Sequence, residues 1–165
     1  LEWPGPLYIR LAKGGEKIVS LEERGFSIGK GIVIEDPGEV LFISTGVMTQ
    51  RAIQAREQLQ LDGIECGVLH LHTIKPIDEQ LILSTAASAK LIVTIEEHVL
   101  TGGLGSAVLE VMNDADKLGD QKLLRLGIPD RFSESYGSQD SLLELWNLSS
   151  DGVVASVKNK CNLVL

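Results

Sequence analysis

The sequence predicts an α/β domain built on a five-stranded, mainly parallel mixed sheet, with helices on both faces and one strand antiparallel to the others. Three observations lead there. From Gly31 onward, apolar runs of strand length alternate with segments whose apolar residues recur at helical spacing. The runs at 40–43 and 91–95 are apolar on both strand faces or nearly so, as strands covered by helices on each side are. Finally, only five residues separate the runs at 31–34 and 40–43, too few for a parallel crossover, so those two strands run antiparallel.

Taken in order, the elements have local causes. Pro6-Leu7-Tyr8-Ile9-Arg10-Leu11-Ala12 is a short apolar, β-favouring run entered through Pro4-Gly5-Pro6. A polar, Gly-rich linker follows between about Lys13 and Gly29, with a small apolar break at 18–21. Strand 31–34 closes on the turn Glu35-Asp36-Pro37-Gly38 and leads into strand 40–43. Met48, Ala52, Ala55 and Leu59 then mark one face of a helix that Asp62-Gly63 ends. Strand 64–72 precedes a helix opening near Pro76, where Asp78 and Glu79 suit the positive end of the helix dipole. The strand at 91–95 feeds Gly102-Gly103-Leu104-Gly105-Ser106, and Leu104, Ala107, Val111 and Ala115 continue as a helix. A short strand at 123–126, an irregular stretch at 127–130 and helices at 141–148 and about 150–159 complete the chain, the last capped by Ser149 or Ser150.

Composition narrows the function. Of 165 residues, 44% are apolar, enough for a full core at this length. Fifteen Lys and Arg against 23 Asp and Glu leave a net charge of −8, which argues against a broad polyanion-binding face. Aromatics are only 4%, leaving few stacking platforms for bases or sugars. No apolar run approaches the ~20 residues of a membrane-spanning helix, and no secretory leader is visible. Cys66 and Cys161 are too few for a disulfide framework or a four-ligand zinc site, which points to a reducing, cytoplasmic setting. The chain opens at Leu1 in an ordinary-looking segment, which predicts an excised piece.

Several groups are candidates for chemistry. Gly103-Leu104-Gly105-Ser106-Ala107-Val108 has the setting of a dinucleotide fingerprint, but Val108 stands where close helix–sheet packing wants Gly or Ala, so it reads as a structural loop. Gly25-Phe26-Ser27-Ile28-Gly29-Lys30-Gly31 fails as a phosphate loop: its glycines are spaced one residue too closely, and Gly31 replaces the magnesium-binding hydroxyl. His70 and His72 share a strand face and read as a satisfied polar strand end rather than metal ligands. Glu96 and His98 lie just past the strand at 91–95, on the edge where open parallel sheets meet ligands and partners. They are expected to form a hydrogen-bonded pair that holds the loop carrying Gly103 and Gly105, a structural or interface role. General-base work by His98 is the alternative, without a nucleophile or oxyanion donor beside it. Arg10 reads either as a solvated charge or as a guanidinium placed to grip a phosphate or carboxylate.

Four segments together carry a family resemblance: Ile74-Lys75-Pro76-Ile77-Asp78, Val93-Thr94-Ile95-Glu96-Glu97-His98, Gly102-Gly103-Leu104-Gly105-Ser106-Ala107-Val108 and Gly127-Ile128-Pro129-Asp130-Arg131-Phe132. In order and spacing they resemble the C-terminal domain of transketolase-type thiamine diphosphate enzymes: the short C-terminal subunits of split transketolases, deoxyxylulose-phosphate synthase and, more distantly, the β subunits of 2-oxoacid dehydrogenases. The resemblance implies a three-layer α/β/α domain over 31–165, a linker over 15–30, and residues 1–14 as the tail of a preceding pyrimidine-binding domain. It also implies that Arg10 contacts a substrate phosphate in the intact enzyme, while Lys13 stands where the synthase has a second Arg and would lose bidentate geometry.

The same resemblance places thiamine diphosphate and Mg²⁺ on an N-terminal domain, and the glutamate that activates the cofactor on the pyrimidine-binding domain. No catalytic, cofactor-binding or metal-binding residue is therefore expected in this chain, which would serve domain packing and dimer assembly. Three parents follow: a transketolase moving a two-carbon ketol unit between sugar phosphates, deoxyxylulose-phosphate synthase, or a 2-oxoacid dehydrogenase whose β subunit carries a regulatory, partner-binding module here. A different class of reading makes the edge near Glu96, His98 and Gly103 a recognition surface for a regulator.

Overall fold

The structure, a computed structural model, describes residues 3–12, 14, 17–19, 22–119 and 121–161. Lys13, part of the expected apolar break at 18–21 and the end of the domain at 162–165 lie outside the described residues.

Alternating apolar runs become a single sheet of five strands, β1 (Ile32–Glu35), β2 (Val40–Ser44), β3 (Cys66–His70), β4 (Leu91–Val99) and β5 (Lys122–Ile128). Their spatial order is β1-β3-β2-β4-β5, with β1 antiparallel to β3 and the remaining pairs parallel. Helices α1 (Met48–Leu61), α4 (Gln139–Leu145) and α5 (Ser150–Cys161) cover one face, and α2 (Glu79–Ala86) and α3 (Leu104–Asp114) cover the other. The two-residue period of the strands divides the core accordingly. Val40, Phe42 and Val93 face Met48, Ala52, Ala55 and Leu59 of α1, whereas Leu41, Ile43 and Ile92 pack with Ile82, Leu104 and Val108. This is the mixed α/β/α arrangement that the alternation of strands and helices predicts.

One inference about the sheet needs correction. β1 and β2 do run in opposite directions, but β3 lies between them. Skipping one strand means spanning ~10 Å, well within the reach of five extended residues. The link must then cross the start of β3, and two glycines make room. A Cβ on Gly67 would lie 2.6 Å from Pro37 Cα, and one on Gly38 would lie 2.4 Å from Glu65 O.

Other boundaries shift for local reasons. The apolar run at 6–12 is not a strand among the described residues, since extended backbone becomes one only with a neighbour to bond to, and Tyr8 and Leu11 are exposed. α2 begins at Glu79 rather than at Pro76, because Asp78 Oδ1 accepts from Leu81 N at 3.3 Å and fixes the cap there. Ser138 and Ser149 cap α4 and α5 in the same way, moving the start of α4 back to Gln139. β4 continues past Ile95 to Val99, with a register irregularity between them, so Glu96, Glu97 and His98 belong to the strand. β5 likewise absorbs Gly127 and Ile128.

The expected linker is tied down near its end. Arg24 Nη1 donates to Val33 O and Ile34 O at 2.7 and 2.6 Å, covering carbonyls of edge strand β1. Gly31 N donates to Asp78 Oδ2 at 3.1 Å, so one carboxylate caps α2 and anchors the entry to β1.

Candidate functional site

The parallel strands β2 and β3 end level with each other at Ser44 and His70, opposite Ile95 of β4, which runs on to Val99. The start of α3 and the arm residue Arg10 join them at this carboxyl edge. Consecutive strand residues point to opposite faces, and the Glu96-Glu97 pair uses that alternation to serve both layers.

Glu96 points to the α3 side and is 1% exposed. Its Oε2 accepts from Leu104 N at 2.7 Å and its Oε1 from Gly105 N at 2.9 Å, satisfying two of the amides that open α3. The N-cap, Gly103, has no side chain to do this, and a Cβ there would fall 1.9 Å from Glu96 Oε2. Gly105 brings α3 against the sheet, because a Cβ at that position would lie 2.7 Å from Thr94 Oγ1 and 2.8 Å from Arg125 Nε. Arg125 Nη2 donates to Leu100 O and, at 3.1 Å, to Ser106 Oγ, bracing the far side of the loop.

The expected hydrogen bond between Glu96 and His98 does not form. Both Glu96 oxygens bond helix amides, and His98 Nδ1 lies 2.7 Å from Val99 O and 3.9 Å from Glu96 Oε2. A protonated His98 would feel the carboxylate electrostatically without hydrogen bonding to it. It is half exposed, with no nucleophile among its hydrogen-bond or ion-pair contacts to the described residues.

Glu97 points to the other face and joins three segments. Arg10 Nη1 donates to Glu97 O at 3.0 Å and Arg10 Nη2 to Glu97 Oε2 at 3.3 Å, while Gln139 Nε2 of α4 donates to Glu97 Oε1 at 2.6 Å. Arg10 thus holds a carboxylate from outside the packed core, with 58% of its side chain exposed. Apart from the adjacent glutamates, which on a strand cannot share one partner, nothing in the sequence alone marks the roles of Glu97, Gln139 and Arg125.

The histidines are not the satisfied pair expected. His70 is 7% exposed, yet neither ring nitrogen has a hydrogen-bond partner among the described residues. His72 Nδ1 lies 2.9 Å from Thr73 Oγ1, and its ring stacks on Phe26 with centroids 4.3 Å apart. Burial, and then the nearby His72, pushes the pKa of His70 down to about 4, and burial also lowers that of His72. His70 is therefore neutral in the native state over a range where the unfolded chain binds a proton. Its contribution to stability is complete above its ordinary value near 6.5 and is lost as pH falls from there toward about 4. We expect that fall to amount to roughly 2–3 kcal/mol and to shrink in His70→Phe, followed by urea titrations from pH 7 to 4; equal pH slopes in both proteins would refute the assignment.

Both cysteines are buried thiols. Burial pushes the Cys66 thiol up to about 12, and burial also raises Cys161, so both stay protonated at neutral pH. Among the described residues no group of three or more His, Cys, Asp or Glu side chains is placed to hold a metal. The α3 amides that could receive an anion already bond Glu96. The start of α3 is therefore not open to a diphosphate.

The Transketolase, C-terminal domain family matches residues 29–153. This chain belongs to that family. The transketolase C-terminal domain is seen in its relatives as part of longer proteins. The chain is 40% identical over 157 residues to an uncharacterized transketolase family protein of Sinorhizobium fredii, covering 93% of this chain and 45% of the relative. It is also 40% identical over 159 residues to 1-deoxy-D-xylulose-5-phosphate synthase of a Synechococcus strain, covering 94% of this chain and 24% of that enzyme. In three dimensions it superposes on a split-gene transketolase, described as an inactive β4 tetramer, with TM-score 0.88 and 35% identity over 99% of this chain and 52% of the other. The chain thus spans less than half the length of these two curated relatives. No helix among the described residues is long and apolar enough to cross a membrane.

Proposed function

We propose that this transketolase C-terminal domain belongs to a cytoplasmic transferase that moves a two-carbon ketol unit between sugar phosphates. Its own work is to pack against the N-terminal and pyrimidine-binding domains of that enzyme and to extend a homodimer interface. On this reading residues 1–14 are the tail of the pyrimidine-binding domain, 15–30 a linker and 31–165 the C-terminal domain. Glu96, Gly103 and Gly105 shape the sheet edge, with His98 beside them. Thiamine diphosphate and Mg²⁺, which the family implies, are held by the other domains, and the isolated chain is inactive. The observation that carries the proposal is the family match from residue 29, which leaves outside it an arm whose Arg10 reaches the carboxyl edge of the sheet.

A second parent, 1-deoxy-D-xylulose-5-phosphate synthase, is favoured by the 40% identity to the Synechococcus enzyme of that name. The two are separated by assaying the intact enzyme with ketose-phosphate donors and with pyruvate. Turnover with ketose phosphates supports the ketol transferase, whereas turnover only with pyruvate and a triose phosphate replaces it with the synthase.

Arg10 is the residue of this chain assigned to substrate in either enzyme, through the acceptor's phosphate. In the intact enzyme Arg10→Ala is expected to raise KM for phosphorylated acceptors about tenfold to a hundredfold and to leave unphosphorylated acceptors unchanged, as loss of a charged hydrogen bond predicts. Equal changes for both acceptors would return Arg10 to a surface charge.

A further inference from the structure

We propose that Glu97 is the positioning residue for Arg10: it fixes the guanidinium at the carboxyl edge of the sheet, with an open face toward an anionic group. The inference rests on the reading of Arg10 as a phosphate-binding residue and adds the group that sets its geometry. Among the described residues the Arg10 guanidinium is held by Glu97, through two contacts to different nitrogens: the main-chain oxygen of Glu97 accepts from Nη1 and its carboxylate accepts from Nη2. The carboxylate is itself held by Gln139, which donates to its other oxygen from α4. Glu97 is 22% exposed and Arg10 58%, so the anchor is sheltered while the cation stays accessible.

A fork held from one side has fewer rotamers to lose when it meets a planar or tetrahedral oxyanion, and that is where the gain in affinity comes from. Gln139 has a further role here. By occupying Oε1 it leaves Oε2 to Arg10, so α4, the arm and β4 are registered through one carboxylate.

The test is a double-mutant cycle in the intact enzyme, read as KM and kcat for a phosphorylated acceptor and its unphosphorylated counterpart, with thermal melts to confirm folding. Glu97→Ala is expected to raise KM for the phosphorylated acceptor about three- to fivefold, with kcat and the unphosphorylated acceptor unchanged, the range of a partly exposed ion pair. Added to Arg10→Ala, it should change KM by less than about 1.5-fold, because the group it positions is gone. Glu97→Gln, which keeps the shape and one acceptor oxygen, should fall between wild type and Glu97→Ala and serves if the alanine variant folds poorly. If Arg10→Ala is selective for phosphorylated acceptors but Glu97→Ala leaves or lowers their KM, Glu97 does not position Arg10, and the phosphate reading survives. An equally large Glu97 effect with Arg10 already removed also overturns the positioning role. If Arg10→Ala shows no selectivity, the phosphate reading fails, and this inference fails with it.

Discussion

Glu96→Ala is expected to lower stability by about 4 kcal/mol. Each Glu96 oxygen bonds one backbone amide, and both amides are buried beneath the side chain that satisfies them. Removing the carboxylate strands two donors at the start of α3, each costing ~1–3 kcal/mol, and also removes a negative charge from the positive end of that helix dipole. The N-cap, Gly103, has no side chain to take over, and Ser106 Oγ already donates to Leu100 O and accepts from Gly102 N. Glu96→Gln keeps one acceptor oxygen but turns an NH₂ toward the second amide, so its cost should be about half as large. Urea denaturation followed by circular dichroism measures both. A loss below about 1 kcal/mol in the alanine variant would show that the α3 amides find other partners.

Gly67→Ala is the second large effect, about 3 kcal/mol, from one added methyl group. Its Cβ would lie 2.6 Å from Pro37 Cα and 2.7 Å from Asp36 O, both parts of the backbone rather than a side chain that could swing aside. The β1–β2 link would have to lift off β3, disturbing the turn and the register on both sides of it. For a chain of this size the substitution should lower Tm by about 6–12 °C. A contrasting substitution, Gly63→Ala, meets no atom within 4 Å and carries only the strain of its positive φ, so it should cost less. If the two glycines proved equally tolerant, the crossing of the link over β3 would be wrong.

The element list was legible in the sequence because each element is set by local chemistry. The helical spacing of Met48, Ala52, Ala55 and Leu59 is the buried stripe of α1, and the continuous apolar run at 40–43 is the fully covered β2. The same holds for the opposed directions of β1 and β2, which follow from a five-residue link. Strand order was not legible: a short link fixes direction but equally permits a hairpin or a skip over one strand. What distinguishes them here is the fit of Gly38 and Gly67 against backbone, a contact between residues distant in sequence.

At the sheet edge, the four motif segments and the residues Arg10, Glu96, His98, Gly103 and Gly105 could be picked out in sequence, but the pairings among them could not. A pairing of Glu96 with His98 rests on their closeness along the chain, whereas the competing partners are the helix amides eight and nine residues on, which a carboxylate prefers when they would otherwise be buried without acceptors. Glu97 stands in one of the motif segments, but its partners Arg10 and Gln139 are not legible there, since they lie 87 and 42 residues away. By itself, then, the sequence determined the kinds of element, their order and the family, because hydrophobic period, turn chemistry and motif spacing are properties of neighbours along the chain. Which strand sits between which, and which charge meets which, was decided only by the tertiary structure, where burial makes remote groups compete for the same few hydrogen bonds.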